Sequence, residues 1–198
     1  MAETREPRPH RAHAHGDGGP GGHGRTGPPA HRAPRAWRLL MTTLAWRFVK
    51  AKYQDKAFTG EGAQKFPGRW NTAAFPVVYT ASGVSLAILE LLAYIEDASL
   101  LPSYLLFRAD LPEDLMGTLP DADLPSDWRA FPAPDSTKTI GDTWFQQGRS
   151  AVLSVPSALV PLERNYLINP VHRHFRKIRL SGPVDFDFDP RLMQLVRH

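Results

Sequence analysis

At 198 residues, 42% of them hydrophobic and 22% charged, the chain is long enough to enclose one full core and points to a single folded domain. It contains no cysteine, which excludes disulfides, thiolate metal sites and a cysteine nucleophile together. The formal charge of +4 is uneven: residues 1–36 carry six arginines against Glu3, Glu6 and Asp17, so the remainder is nearly neutral and offers no nucleic-acid footprint.

Residues 1–38 are expected to be a disordered tail. They are Gly, Pro, Arg and His with hardly an aliphatic side chain, too little apolar surface to offset the entropy of ordering. The tail histidines (His10, His13, His15, His23 and His31) are irregularly spaced and predict no metal site. Met41 stands just before the domain pattern begins and is a candidate start; the domain itself is expected over 39–198. No run approaches the roughly 18 apolar residues of a membrane span. No charged-then-apolar leader opens the sequence either, so a cytoplasmic protein is expected.

The first predicted strand is 44–49, with Arg47 between aromatic and aliphatic neighbours, either snorkelling from an edge or pointing into a polar cleft. Residues 52–68 read as a polar, glycine-bearing loop over a binding site. A buried strand follows at 76–80, rich in β-branched residues and carrying Tyr79. Ser82 is placed to cap a helix whose run over 86–95 is apolar almost all round, which predicts burial. Glu90 lies inside that run, and a buried carboxylate is costly unless a partner or a function holds it.

A second strand is predicted at 103–109 and an irregular connection over 110–138 with a helical turn at 125–129. A helix over 140–149 has Asp142 in its first turn and Gly148 near its end. Residues 151–155 form a third strand, 167–170 a turn, and 177–180 and 184–188 closing strands. Strands outnumber helices in mixed order. The expected fold is therefore α+β: one compact domain with a mixed or antiparallel sheet and flanking helices.

No dinucleotide fingerprint, phosphate loop, HExxH or GxSxG elbow is present. Ser157, His172 and Asp189 supply the parts of a hydrolase triad, but Ser157 follows a proline and lacks the glycines of an exposed nucleophile turn. His172 and His174 lack a third ligand, and no metal is expected. What stands out is an ordered set of contexts: G-R-W-N around Arg69, V-V-Y-T-A around Tyr79, L-A-I-L-E-L-L around Glu90, V-P-S-A-L-V-P-x-E-x-N-Y-L-I-N-P-x-H from Val155, and F-D-F-D-P-R-L near the end.

In these contexts the chain resembles the RES domain family over about residues 44–195. The resemblance implies a fold similar to diphtheria-toxin-like ADP-ribosyltransferases, NAD+ as substrate, and an Xre-type helix-turn-helix antitoxin in a hetero-oligomer. It implies NAD+ degradation by phosphorolysis or hydrolysis, or, as the alternative, ADP-ribose transfer to a protein. The residue types suit that work. Glu90 would stabilise an oxocarbenium-like ribosyl cation. Arg69 and Arg47 would hold the pyrophosphate. Tyr79 would stack on nicotinamide, and Ser157 would meet the nicotinamide end or support Glu90. Asn165 and Asn169 read as backbone caps, Trp70 and Asn71 as turn builders, and His172 as structural. A different class, a catalytically silent module that binds an antitoxin or nucleic acid, is disfavoured by the retained Arg-Tyr-Glu-Ser set, and no direct nucleic-acid binding is expected.

Overall fold

A computed structural model describes residues 41–194; residues 1–40 and 195–198 lie outside it, and with them the tail expected over 1–38. Seven strands make one sheet: β1 (Thr42–Lys50), β2 (Val78–Ala81), β3 (Tyr104–Pro112), β4 (Met116–Thr118), β5 (Val152–Pro156), β6 (Arg164–Ile168) and β7 (Arg179–Val184). Their order is β4-β5-β6-β2-β1-β3-β7, antiparallel throughout except for the parallel β4–β5 pair. The helices are α1 (Glu61–Lys65), α2 (Val84–Leu92) and α3 (Asp135–Gln147). This is the α+β single domain expected from the sequence.

Register decides which side chains share a face, because strand side chains alternate. Ala45, Val78, Val152, Tyr166 and Ile168 line one face and close over Leu115 and Ile178. The other face carries two covers. Leu86 and Ala87 of α2 pack on Trp46, Phe48 and Ala81. Trp144 and Phe145 of α3 pack with Leu153, Val155 and Leu167. Leu86 is fully buried, and each such aliphatic side chain contributes roughly 1.5–3 kcal/mol. β1 and β2 share a single register pair, Trp46 with Ala81, so the sheet has its shortest ladder at the seam under α2.

Several expectations are corrected. Ser82 does not cap α2: its N–H donates to the Arg164 carbonyl (3.0 Å), so it continues the sheet and Gly83 takes the cap position. The helix is also not buried all round, since it lies on one face of the sheet with Leu89 turned outward at 45% exposure. The 52–68 stretch is not a plain loop, for it carries a 3₁₀ helix (Ala51–Lys56) and α1. α3 starts five residues before the predicted 140, because Pro134 presets the entry backbone and Asp135 suits the first turn. Asp142 is consequently mid-helix, where it accepts the Thr72 N–H (3.0 Å). The predicted end holds: Gly148 has φ +55 and closes the helix on the Trp144 carbonyl. The turn expected at 125–129 is a hydrogen-bonded turn without a helix. One strand, β7, replaces the two predicted closing strands, while Phe186 and Phe188 pack on Phe48 (5.2 and 4.9 Å between ring centroids).

α3 meets the 68–72 turn at Gly141, where a Cβ would fall on the Trp70 carbonyl oxygen. The obstacle is backbone and cannot rotate away. Gly141→Ala is therefore expected to push helix and turn apart, at the overpacking cost of about 1–3 kcal/mol or more. For a chain of this size that lowers Tm by roughly 4–10 °C. A thermal melt that leaves Tm unchanged would contradict this packing.

Candidate active site

Glu90 lies on the third turn of α2, half-buried, with its carboxylate reaching over the starts of β6 and the β5–β6 loop. Ser157 Oγ donates to Glu90 Oε1 (2.9 Å) and Asn165 Nδ2 donates to the same oxygen (2.6 Å). Two donors on one oxygen fix the carboxylate and leave Oε2 without a partner among the described residues. Ser157 is itself fully buried, and its Oγ also accepts the N–H groups of Leu159 (3.2 Å) and Val160 (3.1 Å). A hydroxyl has one hydrogen and two lone pairs, so Ser157 is fully committed. It is not arranged as a nucleophile, and of the two roles the sequence left open the geometry matches support of Glu90.

Asn165 is the residue that sequence reasoning missed, having read it as a backbone cap. It belongs to β6, where pairing with Ala81 and Val155 puts it on the face that α2 covers. A carboxylate accepts only, so the amide must turn its nitrogen to Glu90 and its oxygen away. That oxygen, Oδ1, is buried and has no hydrogen-bond partner. An orphaned buried acceptor costs about 1–3 kcal/mol and calls for a donor. The signal available in the sequence was the alternation of Arg164 to Ile168, which marks a strand and thereby puts Asn165 and Leu167 on one face.

Arg69 sits in a turn built by its neighbours. Asn71, wholly buried, accepts the Gly68 N–H (3.0 Å) and donates to the Ala63 (2.9 Å) and Thr72 (2.8 Å) carbonyls. Tyr79 Oη donates to Asn71 Oδ1 (2.8 Å) and accepts the Trp70 N–H (2.9 Å), which ties β2 to the turn. Burial pushes the Tyr79 hydroxyl well above its ordinary pKa, against the opposing pull of the Trp70 N–H, so it stays a neutral donor. Since its hydroxyl is used twice, any contact with a ligand falls to the ring. Arg69 Nη1 donates to the carbonyls of Trp128 (2.6 Å) and Ala130 (3.0 Å), while Nε and Nη2 donate to none of the described residues. One edge of the guanidinium is anchored and the other is left to bind an anion.

The 128–130 segment joins the two halves, because Arg129 Nε donates to the Ala158 carbonyl (3.2 Å), beside Ser157. Arg69, Tyr79, Glu90 and Ser157 thus belong to one connected framework. Arg47 does not join it directly. It pairs with Phe107, so its side chain occupies the face opposite Trp46. There it lies over the Phe58 ring at 5.9 Å with Nε buried and unpartnered, and burial lowers its pKa to about 10. The hydrolase triad is not assembled: His172 Nε2 meets the Gly148 carbonyl (2.9 Å), whereas Ser157 meets Glu90. Among the described residues no cluster of three metal-binding side chains occurs, and no helix is long and apolar enough to cross a membrane.

The RES domain family model matches residues 44–189. A toxin Res from Yersinia enterocolitica is 41% identical over 150 residues, spanning 75% of this chain and 99% of its own length. Another from Photorhabdus laumondii is 40% identical, spanning 76% and 97%. A Prs ADP-ribosylating toxin from Sphingobium is 33% identical, spanning 78% and 99%. In the crystal structure of the Mycobacterium tuberculosis MbcT–MbcA toxin–antitoxin complex, one chain shares the fold, with a TM-score of 0.61 over 79% of this chain and 90% of that one, at 23% identity. With most of its folded body matched and relatives above 40% identity aligned along nearly their whole length, the chain belongs to the RES domain family.

Proposed function

We propose that this protein is the toxin of a toxin–antitoxin pair and that it breaks the nicotinamide–ribose bond of NAD+. The observation that carries the reading is the Glu90 carboxylate, held through Oε1 by Ser157 and Asn165 with Oε2 left open. When the C1′–N bond breaks, its electron pair leaves with the pyridinium nitrogen and nicotinamide departs neutral. The positive charge left on the ribosyl ring faces Oε2. An acceptor oxygen then adds to C1′ and gives up its proton. Preorganised charge of this kind acts without reorganising at the moment of reaction. The free Nε–Nη2 edge of Arg69 suits the pyrophosphate, and the Tyr79 ring suits the nicotinamide.

Purified protein incubated with NAD+, with and without phosphate, is expected to release nicotinamide, and the mass of the second product identifies the acceptor. NAD+ left intact under both conditions and with cell extract would overturn the reading. Nothing in it draws on residues 1–38, so a chain beginning at Met41 is expected to turn over equally well. Transfer to a protein is the second reading, favoured by the Sphingobium relative. Leu162 (97% exposed) follows Ser157 closely and Phe131 (91%) follows the Arg69 anchor, which gives the site an apolar margin for a macromolecule. The relatives and the MbcT–MbcA complex support an antitoxin partner, expected to be Xre-type and to cover the site.

Arg47 enters this reading as a second cation for the pyrophosphate, reached through the short β1–β2 seam. The expectation for Arg47→Met is specific. Tm should rise, because a buried guanidinium without a partner is replaced by an apolar chain. KM for NAD+ should rise at least about tenfold through loss of a charged ligand contact. A higher Tm with KM unchanged would leave Arg47 outside the site.

A further inference from the structure

The N-P-x-H segment, which the candidate site leaves unused, borders a second cavity of ≈ 530 Å³ at the far end of α3. It is lined by Phe145, Gln147, Arg149, Asn169, His172 and Arg173, among others, and no aspartate or glutamate is in its wall. Asn169 is 3% exposed; its Oδ1 accepts the Val171 N–H (3.0 Å), and its Nδ2 donates to none of the described residues. The helix end would ordinarily present carbonyl oxygens, which repel anions. Here the Gly148 carbonyl is taken by His172 (2.9 Å). The tautomer follows from the neighbouring bond: the His174 N–H donates to His172 Nδ1 (3.2 Å), so Nε2 carries the hydrogen. The wall thus offers an amide N–H at its floor, two guanidinia (Arg149 and Arg173, both exposed) and the Phe145 ring.

We propose that this cavity is a second binding site, for a small molecule bearing a phosphate group, separate from the Glu90 site. Donors without a compensating carboxylate select an anion, and Arg forks match phosphate oxygens. Separation follows from the strand: Asn169 is four residues beyond Asn165 on the same chain path, roughly 13 Å at the strand rise. The proposal is independent of NAD+ cleavage and stands or falls by binding alone.

The test is a titration of the ¹⁵N-labelled protein with inorganic phosphate, and separately with AMP and adenosine, at constant ionic strength. Phosphate is expected to give saturable shifts at the Gly148 and Arg149 amides and at the Asn169 side-chain amide. In Arg149→Ala/Arg173→Ala, which alters only exposed side chains, the midpoint should rise at least about tenfold. The same shifts should persist in Glu90→Gln. AMP binding tighter than phosphate, with adenosine silent, marks the ligand as a nucleotide stacked on Phe145; equal midpoints mark free phosphate. Absence of saturation, shifts confined to Asn165 and its neighbours, or an unchanged midpoint in the double variant would each overturn the proposal.

Discussion

Glu90→Gln is expected to lower kcat for nicotinamide release by a factor on the order of 10²–10³, about 3–4 kcal/mol, with the fold intact. The amide is nearly isosteric, so α2 keeps its contacts to Trp46 and Ala81 through Leu86 and Ala87. Its carbonyl oxygen still accepts from Ser157 and Asn165, which anchors the side chain in the same place. What disappears is the negative charge at the position of Oε2, which a neutral amide cannot offer to a ribosyl cation. Structural importance predicts the opposite pattern: a half-buried carboxylate made neutral loses little stability and can gain some. Measuring kcat beside Tm separates the two. A well-folded variant with near-normal kcat would falsify the catalytic assignment of Glu90.

Much of the fold was legible because its local signals agree. β5 is a short run of buried β-branched and aliphatic residues, and Gly148 sits where a left-handed cap is needed. The failures came where tertiary partners overrode a local signal. Ser82 has the residue type of a cap, but the strand beside it offers the Arg164 carbonyl and wins its N–H. The run over 86–95 looks buried on every side, yet a helix lying on a sheet can bury only one of its faces. β4 and β6 went unread: β4 has only three residues, and the flanking Pro161 and Pro170 make 164–168 look like part of a turn.

The site was legible as a set of residue types but not as a circuit. Arg69, Tyr79, Glu90 and Ser157 stand out by context, whereas the bonds that connect them run over sequence separations such as 59 and 67 residues. The dual commitment of the Tyr79 hydroxyl, the anchored edge of Arg69 and the closed valence of Ser157 are visible only in three dimensions. Asn165 was lost together with β6. Once that strand is unseen, nothing local distinguishes a side chain aimed at Glu90 from one capping a turn.

Asn165→Asp should produce the other large effect, and one with a distinctive pH signature. The substitution keeps the shape of the side chain and replaces the Nδ2 donor, 2.6 Å from Glu90 Oε1, with an oxygen. Two carboxylates at that distance cannot both ionise at ordinary cost, so the pair retains one shared proton to a pH roughly 3 units above where a lone carboxylate would lose it. Near neutrality part of the population then lacks the full charge facing the ribose, and kcat is expected to fall on the order of 10²-fold. The sign is fixed by the proton: it is held at low pH and leaves as pH rises, so activity must recover toward alkaline pH. The acid limb of the kcat profile should therefore move upward by at least about one unit, each unit being worth 1.36 kcal/mol of differential interaction. Asn165→Ala supplies the comparison, since it removes the donor without adding a charge and should lower kcat while leaving the limb in place. A residue that only shapes β6 would affect Tm in both variants and the pH profile in neither. If Asn165→Asp shows an unshifted limb and normal kcat, Asn165 does not act on Glu90 and its unpaired oxygen has no part in the reaction.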